Sequence, residues 1–199
     1  MHVSFDFWNT LYRSNPDFKE QRQRIVASST GALARDVDHS FASVGRWHND
    51  QVMLRDGIAL PSRSLCSLVL GSLGSPQEEH SAVTVEIEKL FLKYAPLPIN
   101  SQRVKEWRSG AVTTSILSNT TFISGSVIRS FLFSEGAEFD FMLFSDELGY
   151  GKPHPKAFQE IAQNLSRMGL DAQRQRVVHV GDDPAFDSSS IESVESVLL

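Results

Sequence analysis

The sequence predicts an α/β fold in which a parallel sheet carries an inserted helical block. A short apolar strand ends at Asp6, helical periodicity runs from about residue 14 to 98, and strands alternate with helices from about residue 111 onward. Strands that alternate with helices imply right-handed crossovers and a parallel sheet. We therefore expect a core of residues 1–13 and 99–199 and a helical insertion at 14–98.

The composition argues against several classes of protein. The 199 residues are 41% hydrophobic and carry a formal net charge of −5, which suits one domain with an insertion. Nonspecific nucleic-acid binding needs a clustered basic surface, so this class is not expected. No run approaches the roughly 18 apolar residues of a membrane span, and Asp6 interrupts the first apolar run. We expect a cytoplasmic protein without a membrane partner, in which Cys66 is a buried structural thiol. The sequence indicates no oligomeric state.

Four helices are expected in the inserted block. The first begins at Asn15-Pro16-Asp17, with Asn as the cap and Pro at the first helical position, and its apolar spacing continues to Val37. A second covers Val44 to Leu54, and a third covers Arg63 to Leu73. The segment Ser75-Pro76-Gln77-Glu78 resembles a capping box that opens the fourth helix.

Beyond this block, apolar strands alternate with amphipathic helices. The predicted strands are residues 111–117, 139–144, 176–180 and 196–199. A helix from Ile123 to Phe133 follows the first of them. A second helix, through Phe158 and Met168, is closed by Gly169.

Polar side chains follow these strands where the strands end. Asp6 ends the first strand, Ser118 and Asn119 end the next, Lys152 lies in a later loop, and Asp182 follows residues 176–180. Because the carboxyl ends of parallel strands lie on one edge, these groups can converge. Converging carboxylates raise each other's pKa unless a cation lies among them, and oxygen ligands without His or Cys suit Mg²⁺. Lys152 can then hold an anionic substrate, and Ser118 can donate to a phosphate oxygen.

Each of these residues also has an ordinary structural explanation. Asp6 can start a turn in which Asn9 adopts a positive φ, Lys152 can be a surface lysine, and Asp182 can cap a helix. Their joint placement at successive strand ends favours a functional site.

Four segments resemble, in order, the motifs of the haloacid dehalogenase (HAD) superfamily. They are Asp6-Phe7-Trp8-Asn9-Thr10, Ser118-Asn119, Lys152-Pro153 and Gly181-Asp182-Asp183-x-x-x-Asp187. The helical insertion is similar to the type-1 cap of that superfamily, and the resemblance spans essentially the whole chain. It implies a Rossmann-like core and a hydrolase.

The resemblance also implies roles for individual residues. Asp6 is the implied nucleophile, which forms an aspartyl-phosphate, and Ser118 and Lys152 stabilise the transferring group. The implied ligands of Mg²⁺ are Asp6, the Trp8 backbone carbonyl, Asp182, and Asp183 or Asp187. The implied substrate-binding residues are Thr10, Asn119 and Lys152.

The chain departs from the superfamily at Trp8. Most phosphatases of the superfamily carry a second Asp here as general acid and base, a function typically worth ~10²–10⁴-fold in rate. Three interpretations stay open. The first is a Mg²⁺-dependent hydrolase of a small phosphorylated substrate. The second is a metal-independent, dehalogenase-like hydrolase that attacks carbon through Asp6, although dehalogenases lack the acidic fourth motif. The third is a non-catalytic domain that binds a phosphorylated ligand or a protein.

Overall fold

A parallel sheet lies at the centre of the computed structural model, which describes residues 1–172 and 174–199. The strands found there are β1 His2–Phe5, β2 Tyr12–Arg13, β3 Leu97–Pro98, β4 Thr113–Ser118, β5 Phe141–Phe144, β6 Val177–Gly181 and β7 Glu195–Leu198. Five of them form the sheet in the order β5-β4-β1-β6-β7, with every pair parallel. β1 is buried along its whole length, and Phe5 lies between Ile116 and Val180. The predicted α/β class is confirmed.

The segment from Pro16 to Lys93 is almost entirely helical. Its helices are α1 Pro16–Thr30, α2 Ala34–Arg46, α3 Leu54–Asp56, α4 Ser62–Ser72 and α5 His80–Lys93. A π-helical segment, Trp47–Met53, joins α2 to α3, and a 3₁₀ turn, Gln77–Glu79, leads into α5. We refer to Pro16–Lys93 below as the helical block.

Several predicted boundaries in the helical block are wrong. The first helix does not continue to Val37, because Gly31 adopts a left-handed φ of 71° and ends α1. The predicted helix from Val44 to Leu54 is instead the end of α2, the π-helical segment and the start of α3.

The predicted capping box at Ser75–Glu78 is also wrong. Pro76 precedes the 3₁₀ turn, and the buried Ser75 hydroxyl has no hydrogen-bond partner among the described residues. The Asn15 cap is confirmed, because its side chain accepts a hydrogen bond from the Asp17 N–H at 3.0 Å.

Two short strands connect the helical block to the sheet domain. β2 pairs antiparallel with β3, with Tyr12 opposite Pro98 and Arg13 opposite Leu97. The chain therefore enters and leaves the helical block side by side. The expectation of helices alone over 14–98 is wrong at its last two residues, which form β3.

The remaining helices flank the sheet. They are α6 Gln102–Ser109, α7 Gly125–Ser134, α8 Ser145–Leu148, α9 Pro155–Arg167 and α10 Pro184–Asp187. α9 covers one face with Ala157, Phe158, Ile161 and Leu165, all buried. α6 is absent from the sequence-based expectations, because Val104 is its one buried residue and it shows no apolar stripe.

The helical block packs on the sheet domain through aromatic rings and a backbone contact. The Phe91 ring of α5 lies 6.1 Å from that of Phe131 in α7. On the other side, the Ala59 N–H donates to the Gly149 carbonyl at 3.0 Å, and Ile58 bridges Tyr150. This backbone contact joins the helical block to the loop that carries Lys152.

Cys66 lies on α4 of the helical block. Cys66 is fully buried, as predicted, and burial raises the pKa of its thiol to about 12. Within the two described ranges, no helix combines the length and apolar character that a membrane span requires.

Candidate active site

The site is built on the turn that follows β1. The Asp6 N–H donates to the Val180 carbonyl at 2.9 Å, so the residue stays attached to the sheet as the strand ends. Asn9 then adopts a φ of 57°, which confirms the expected positive φ, and the N–H groups of Leu11 and Tyr12 return to the Phe7 carbonyl. This turn leaves the Asp6 carboxylate at the carboxyl edge of the sheet, where it is 7% exposed.

One oxygen of Asp6 receives two strong donors from neighbouring strand ends. The Ser118 hydroxyl donates to Asp6 Oδ1 at 2.9 Å, and the Lys152 ammonium donates to the same atom at 2.8 Å. Within the described chain, no hydrogen bond to Asp6 Oδ2 is found. The two donors thereby hold Oδ1 in place.

Lys152 is buried and also bridges to Asp187. Its ammonium donates to Asp187 Oδ1 as well as to Asp6 Oδ1. A single lysine thereby joins two carboxylates that are 181 residues apart in the sequence. Burial alone would lower the pKa of Lys152, but the charges of Asp6 and Asp187 raise it above its ordinary value. Burial raises the pKa of Asp6, and Asp187 adds to this rise while Lys152 opposes it.

Asp187 is fully occupied by donors. Its Oδ2 accepts the backbone N–H of Asp182 at 3.0 Å and that of Asp183 at 2.9 Å. Its Oδ1 faces Lys152 and also lies 3.2 Å from Nε2 of His179. Burial would raise the pKa of Asp187, but the His179 hydrogen bond and the Lys152 charge hold it well below its usual range.

His179 was not singled out from the sequence. It lies on β6, fully buried, with Nδ1 3.2 Å from the Ser4 hydroxyl and Nε2 3.4 Å from the Lys152 ammonium. Burial, followed by the Lys152 charge, lowers the pKa of His179, which favours the neutral ring. A polar residue inside the apolar run of residues 177–180 was the signal that could have found it.

Asp182 and Asp183 have different surroundings. Asp182 lies at the cavity, where its Oδ1 is 3.4 Å from the donating hydroxyl of Thr10. Burial and the neighbouring Asp187 raise the pKa of Asp182. Asp183 also lines the cavity, but its Oδ1 accepts the Ala185 N–H at 2.9 Å and so caps α10.

Asn119 holds the backbone of Lys152. Its amide donates to the Lys152 carbonyl at 2.8 Å and accepts the Lys152 N–H at 2.9 Å. A Cβ at Gly151 would lie 2.5 Å from the Asn119 side-chain oxygen, so this approach requires glycine. Asn119 lines the cavity, but both polar ends of its side chain are occupied by the loop that carries Lys152.

Trp8 lies between the cavity and the helical block. Its ring packs edge-on against Phe7 at 4.8 Å and against Phe91 of α5 at 6.1 Å. The residue lines the cavity. Its indole supplies apolar surface there and cannot transfer a proton.

A cavity of about 190 Å³ opens above these groups. It is lined by Asp6, Trp8, Asn9, Asn49, Met53, Asn119, Thr121, Lys152, Asp182, Asp183, Phe186 and Asp187. Asn49 and Met53 come from the π-helical segment, and no feature of the sequence identified them. Among the predicted site residues, Ser118 and Thr10 are buried beneath the cavity and contact Asp6 and Asp182 rather than the open space.

The donor set fits a hard divalent cation. Ligand atoms of Asp6, Asp182 and Asp187 all lie within 4.8 Å of one another. Lys152 is the one cationic side chain among the described residues that line the cavity, so the carboxylates outnumber the positive charge. Carboxylate oxygens at this spacing suit Mg²⁺.

The fold is a parallel α/β sheet with a helical insertion after its first strand, and the cluster of carboxylates and lysine lies at the carboxyl edge of that sheet. The chain belongs to the haloacid dehalogenase-like hydrolases, a family that matches residues 1–194. The resemblance drawn from the four motifs is thereby confirmed.

Solved structures of this family share the fold. A 2-haloacid dehalogenase of Pseudomonas syringae pv. tomato is 23% identical, with a TM-score of 0.57 over 92% of this chain and 78% of that one. A Thermotoga maritima protein assigned as a beta-phosphoglucomutase is 18% identical, with a TM-score of 0.63 over 100% and 85%. Bacillus subtilis YfnB, assigned as a HAD hydrolase and bound to magnesium, is 12% identical, with a TM-score of 0.61 over 93% and 79%. No curated protein matched the chain. At these identities the similarity shows the fold alone.

Proposed function

We propose that this hydrolase is a Mg²⁺-dependent phosphohydrolase that acts through Asp6 on a small phosphorylated substrate. The observation that carries the proposal is the convergence of the Asp6 and Asp182 carboxylates, whose ligand atoms lie within 4.8 Å of each other, beside the buried Lys152 ammonium that Asp187 also holds. A phosphate dianion needs positive charge, and this cluster can bind the divalent cation that supplies it.

The chain's own residues suggest how the reaction would proceed. Ser118 and Lys152 fix Asp6 Oδ1, and Oδ2 attacks phosphorus to form an aspartyl-phosphate. The bond from phosphorus to the leaving oxygen breaks, and its electron pair departs on that oxygen. Water then attacks phosphorus and releases inorganic phosphate. Asp6 regains its carboxylate, and the proton lost by the water neutralises the departed oxygen.

The metal would be held by a subset of the predicted ligands. Asp6, Asp182 and the Trp8 backbone carbonyl are the proposed protein ligands, and bound Mg²⁺ would neutralise charge on the phosphoryl oxygens. Asp187 has both oxygens occupied by donors, and Asp183 caps α10. We therefore assign Asp187 to positioning Lys152 and the Asp182 backbone, and we assign no metal contact to Asp183.

Attack on carbon through Asp6 is the second candidate. One neighbouring structure is an L-2-haloacid dehalogenase of Xanthobacter autotrophicus with chloropropionic acid covalently bound. The same Oδ2 of Asp6 could attack the carbon of such a substrate without metal, and the carbon–halogen bond would break as halide leaves. The acidic side chains of Asp182 and Asp183 at the cavity disfavour the carboxylate of such a substrate, so we rank this candidate second.

A screen of small phosphate monoesters with Mg²⁺, run beside 2-chloropropionate, tests the proposal. Wild type should release phosphate in a reaction that EDTA abolishes, and Asp6→Asn should release none. Metal-independent halide release would favour the second candidate. Failure to release either product, with the fold intact by circular dichroism, would leave the interpretation as a non-catalytic binding domain.

We also propose that the helical block acts as a cap over the carboxyl edge. Asn49 and Met53 of its π-helical segment line the cavity that contains Asp6. Closure of such a cap would exclude water from the reacting phosphate. A cytoplasmic location stays a prediction from composition.

A further inference from the structure

We propose that the substrate of this site is a phosphate monoester of a single-ring phenol. The phenol carries no charged group besides the phosphate. This inference rests on the proposed function and names its substrate class. Three properties of the cavity support it: its balance of charge, the apolar side chains that line it, and the absence of an acid at Trp8.

The charge around the cavity is strongly negative. Four carboxylates line it, from Asp6, Asp182, Asp183 and Asp187, against the one ammonium of Lys152. With one divalent cation bound, the four carboxylates and the ammonium still carry a net charge of −1 before any phosphate binds. The Lys152 ammonium is already engaged by Asp6 and Asp187. A second anionic group on the substrate would therefore find no available cation among the described lining residues.

Part of the cavity lining is apolar. Trp8 and Phe186 line it from the sheet domain, and Met53 lines it from the helical block. Aromatic and thioether side chains pack well against a ring. Asn49 is the polar residue that the helical block contributes to the described lining. Its Oδ1 is buried and makes no hydrogen bond of good geometry with a described residue, although Asn49 lies close enough to His48 to raise the pKa of that ring against the effect of burial.

The missing acid limits which leaving group can depart. An alkoxide needs a proton as it leaves, and Trp8 cannot supply one. A phenolate is a weaker base and departs without protonation, so the ~10²–10⁴-fold help of a general acid is not needed. The small cavity, about 190 Å³, suits a phosphate with one ring rather than a larger group.

Two matched esters separate charge from size. Wild type with Mg²⁺ is assayed on 4-carbamoylphenyl phosphate and 4-carboxyphenyl phosphate, which differ in charge but hardly in shape. We expect kcat/KM to favour the carbamoyl ester by about tenfold or more, the factor that corresponds to about 1.4 kcal/mol. Equal values, or a preference for the carboxylate, would overturn the inference while the phosphohydrolase activity stands.

A binding measurement keeps the inference testable if no ester is hydrolysed. The corresponding arylphosphonates are not hydrolysed, and their binding with Mg²⁺ is measured by thermal shift and calorimetry. A larger increase in melting temperature with the carbamoyl compound than with the carboxyl compound would support the proposed class of substrate, even if the proposed hydrolysis fails. Absence of binding by both compounds would refute it.

A positive charge placed on the helical block tests where the leaving group binds. Asn49→Lys should raise the ratio of kcat/KM for the carboxyl ester over the carbamoyl ester by about tenfold, since a hydrogen bond to a charged group is worth about that factor. Asn49→Met is the matched control, similar in length and without charge, and should not raise this ratio. An unchanged ratio in a folded Asn49→Lys protein would place the leaving group elsewhere.

Discussion

The Oδ2 atom of Asp187 accepts a hydrogen bond from the backbone N–H of Asp182 at 3.0 Å. The two carboxylates have separate roles because of this contact. Asp187 fixes the backbone from which the Asp182 side chain reaches the cavity, and its other oxygen anchors Lys152. Gly181 is required beside them, since a Cβ there would overlap with the Asp187 carboxylate.

Asp182→Asn should abolish the stabilisation that Mg²⁺ gives to wild type. A ligand that binds the folded state alone stabilises it by about 2.7 kcal/mol at a hundred times Kd, and an amide is a much weaker ligand for Mg²⁺ than a carboxylate. The measurement is the melting temperature with and without Mg²⁺. Asp183→Asn is the matched control, because Asn also caps helices, and it should retain the response. Retention of the response by Asp182→Asn would refute the assignment.

Asp187→Asn should lower the free energy of unfolding at neutral pH by about 3 kcal/mol, since it removes one partner of a buried ion pair. The folded-state pKa of Asp187 is held below its ordinary value of 3.8, so its contribution is fully present above that pH and is lost as the pH falls through the folded pKa. Urea unfolding should therefore show a constant difference from wild type between pH 8 and 5, which narrows only below about pH 4. A difference that disappears by pH 6 would contradict this account.

The fold and the position of the site follow from the sequence because apolar strands and their polar ends are strong local signals. The ends of the predicted strands place Asp6, Ser118 and Asp182 at one edge, with Lys152 in a loop that can reach it, and the structure brings these four residues together. Their individual contacts were not predictable. That Ser118 donates to Asp6 and not to the open cavity depends on side-chain packing at the ends of β1 and β4.

The parts that sequence reasoning missed lack such signals. α6 shows no apolar stripe, and the π-helical segment that carries Asn49 and Met53 departs from the 3.6-residue period that reveals helices. The occupied oxygens of Asp187 could not be inferred from spacing, because they depend on how α10 turns its side chain back toward the Asp182 backbone.

Asn119→Asp should reduce kcat for every substrate, with less effect on KM. The change keeps the acceptor for the Lys152 N–H and removes the donor to the Lys152 carbonyl, so the ammonium loses its fixed position. A displacement of about 1 Å can cost roughly 100-fold in rate. Asn164→Asp, whose amide donates to the Glu160 carbonyl on α9 far from the site, is the matched control. Equal losses in both variants would point to a general effect on the fold.

Trp8→Asp should raise the hydrolysis of a sugar phosphate more than that of p-nitrophenyl phosphate. The alkoxide of a sugar needs a proton and p-nitrophenolate does not, and the upper limit of the gain is ~10²–10⁴-fold. Loss of the packing against Phe7 and Phe91 should also lower stability. If Trp8 serves only as a packing residue, rates on both substrates will be equal or reduced in a protein that circular dichroism shows to be folded.

The pairing of β2 with β3 brings the two ends of the helical block within one hydrogen-bonded ladder. The whole helical block is therefore the loop between two paired strands. The entropic cost of closing a loop rises only slowly with the length of the loop. A short turn from Arg13 to Leu97 could therefore replace all five of its helices, α1 to α5, without breaking a strand of the sheet. Asp6 and Lys152 lie outside the helical block and would remain, whereas Asn49 and Met53, which line the cavity, would be removed with the block.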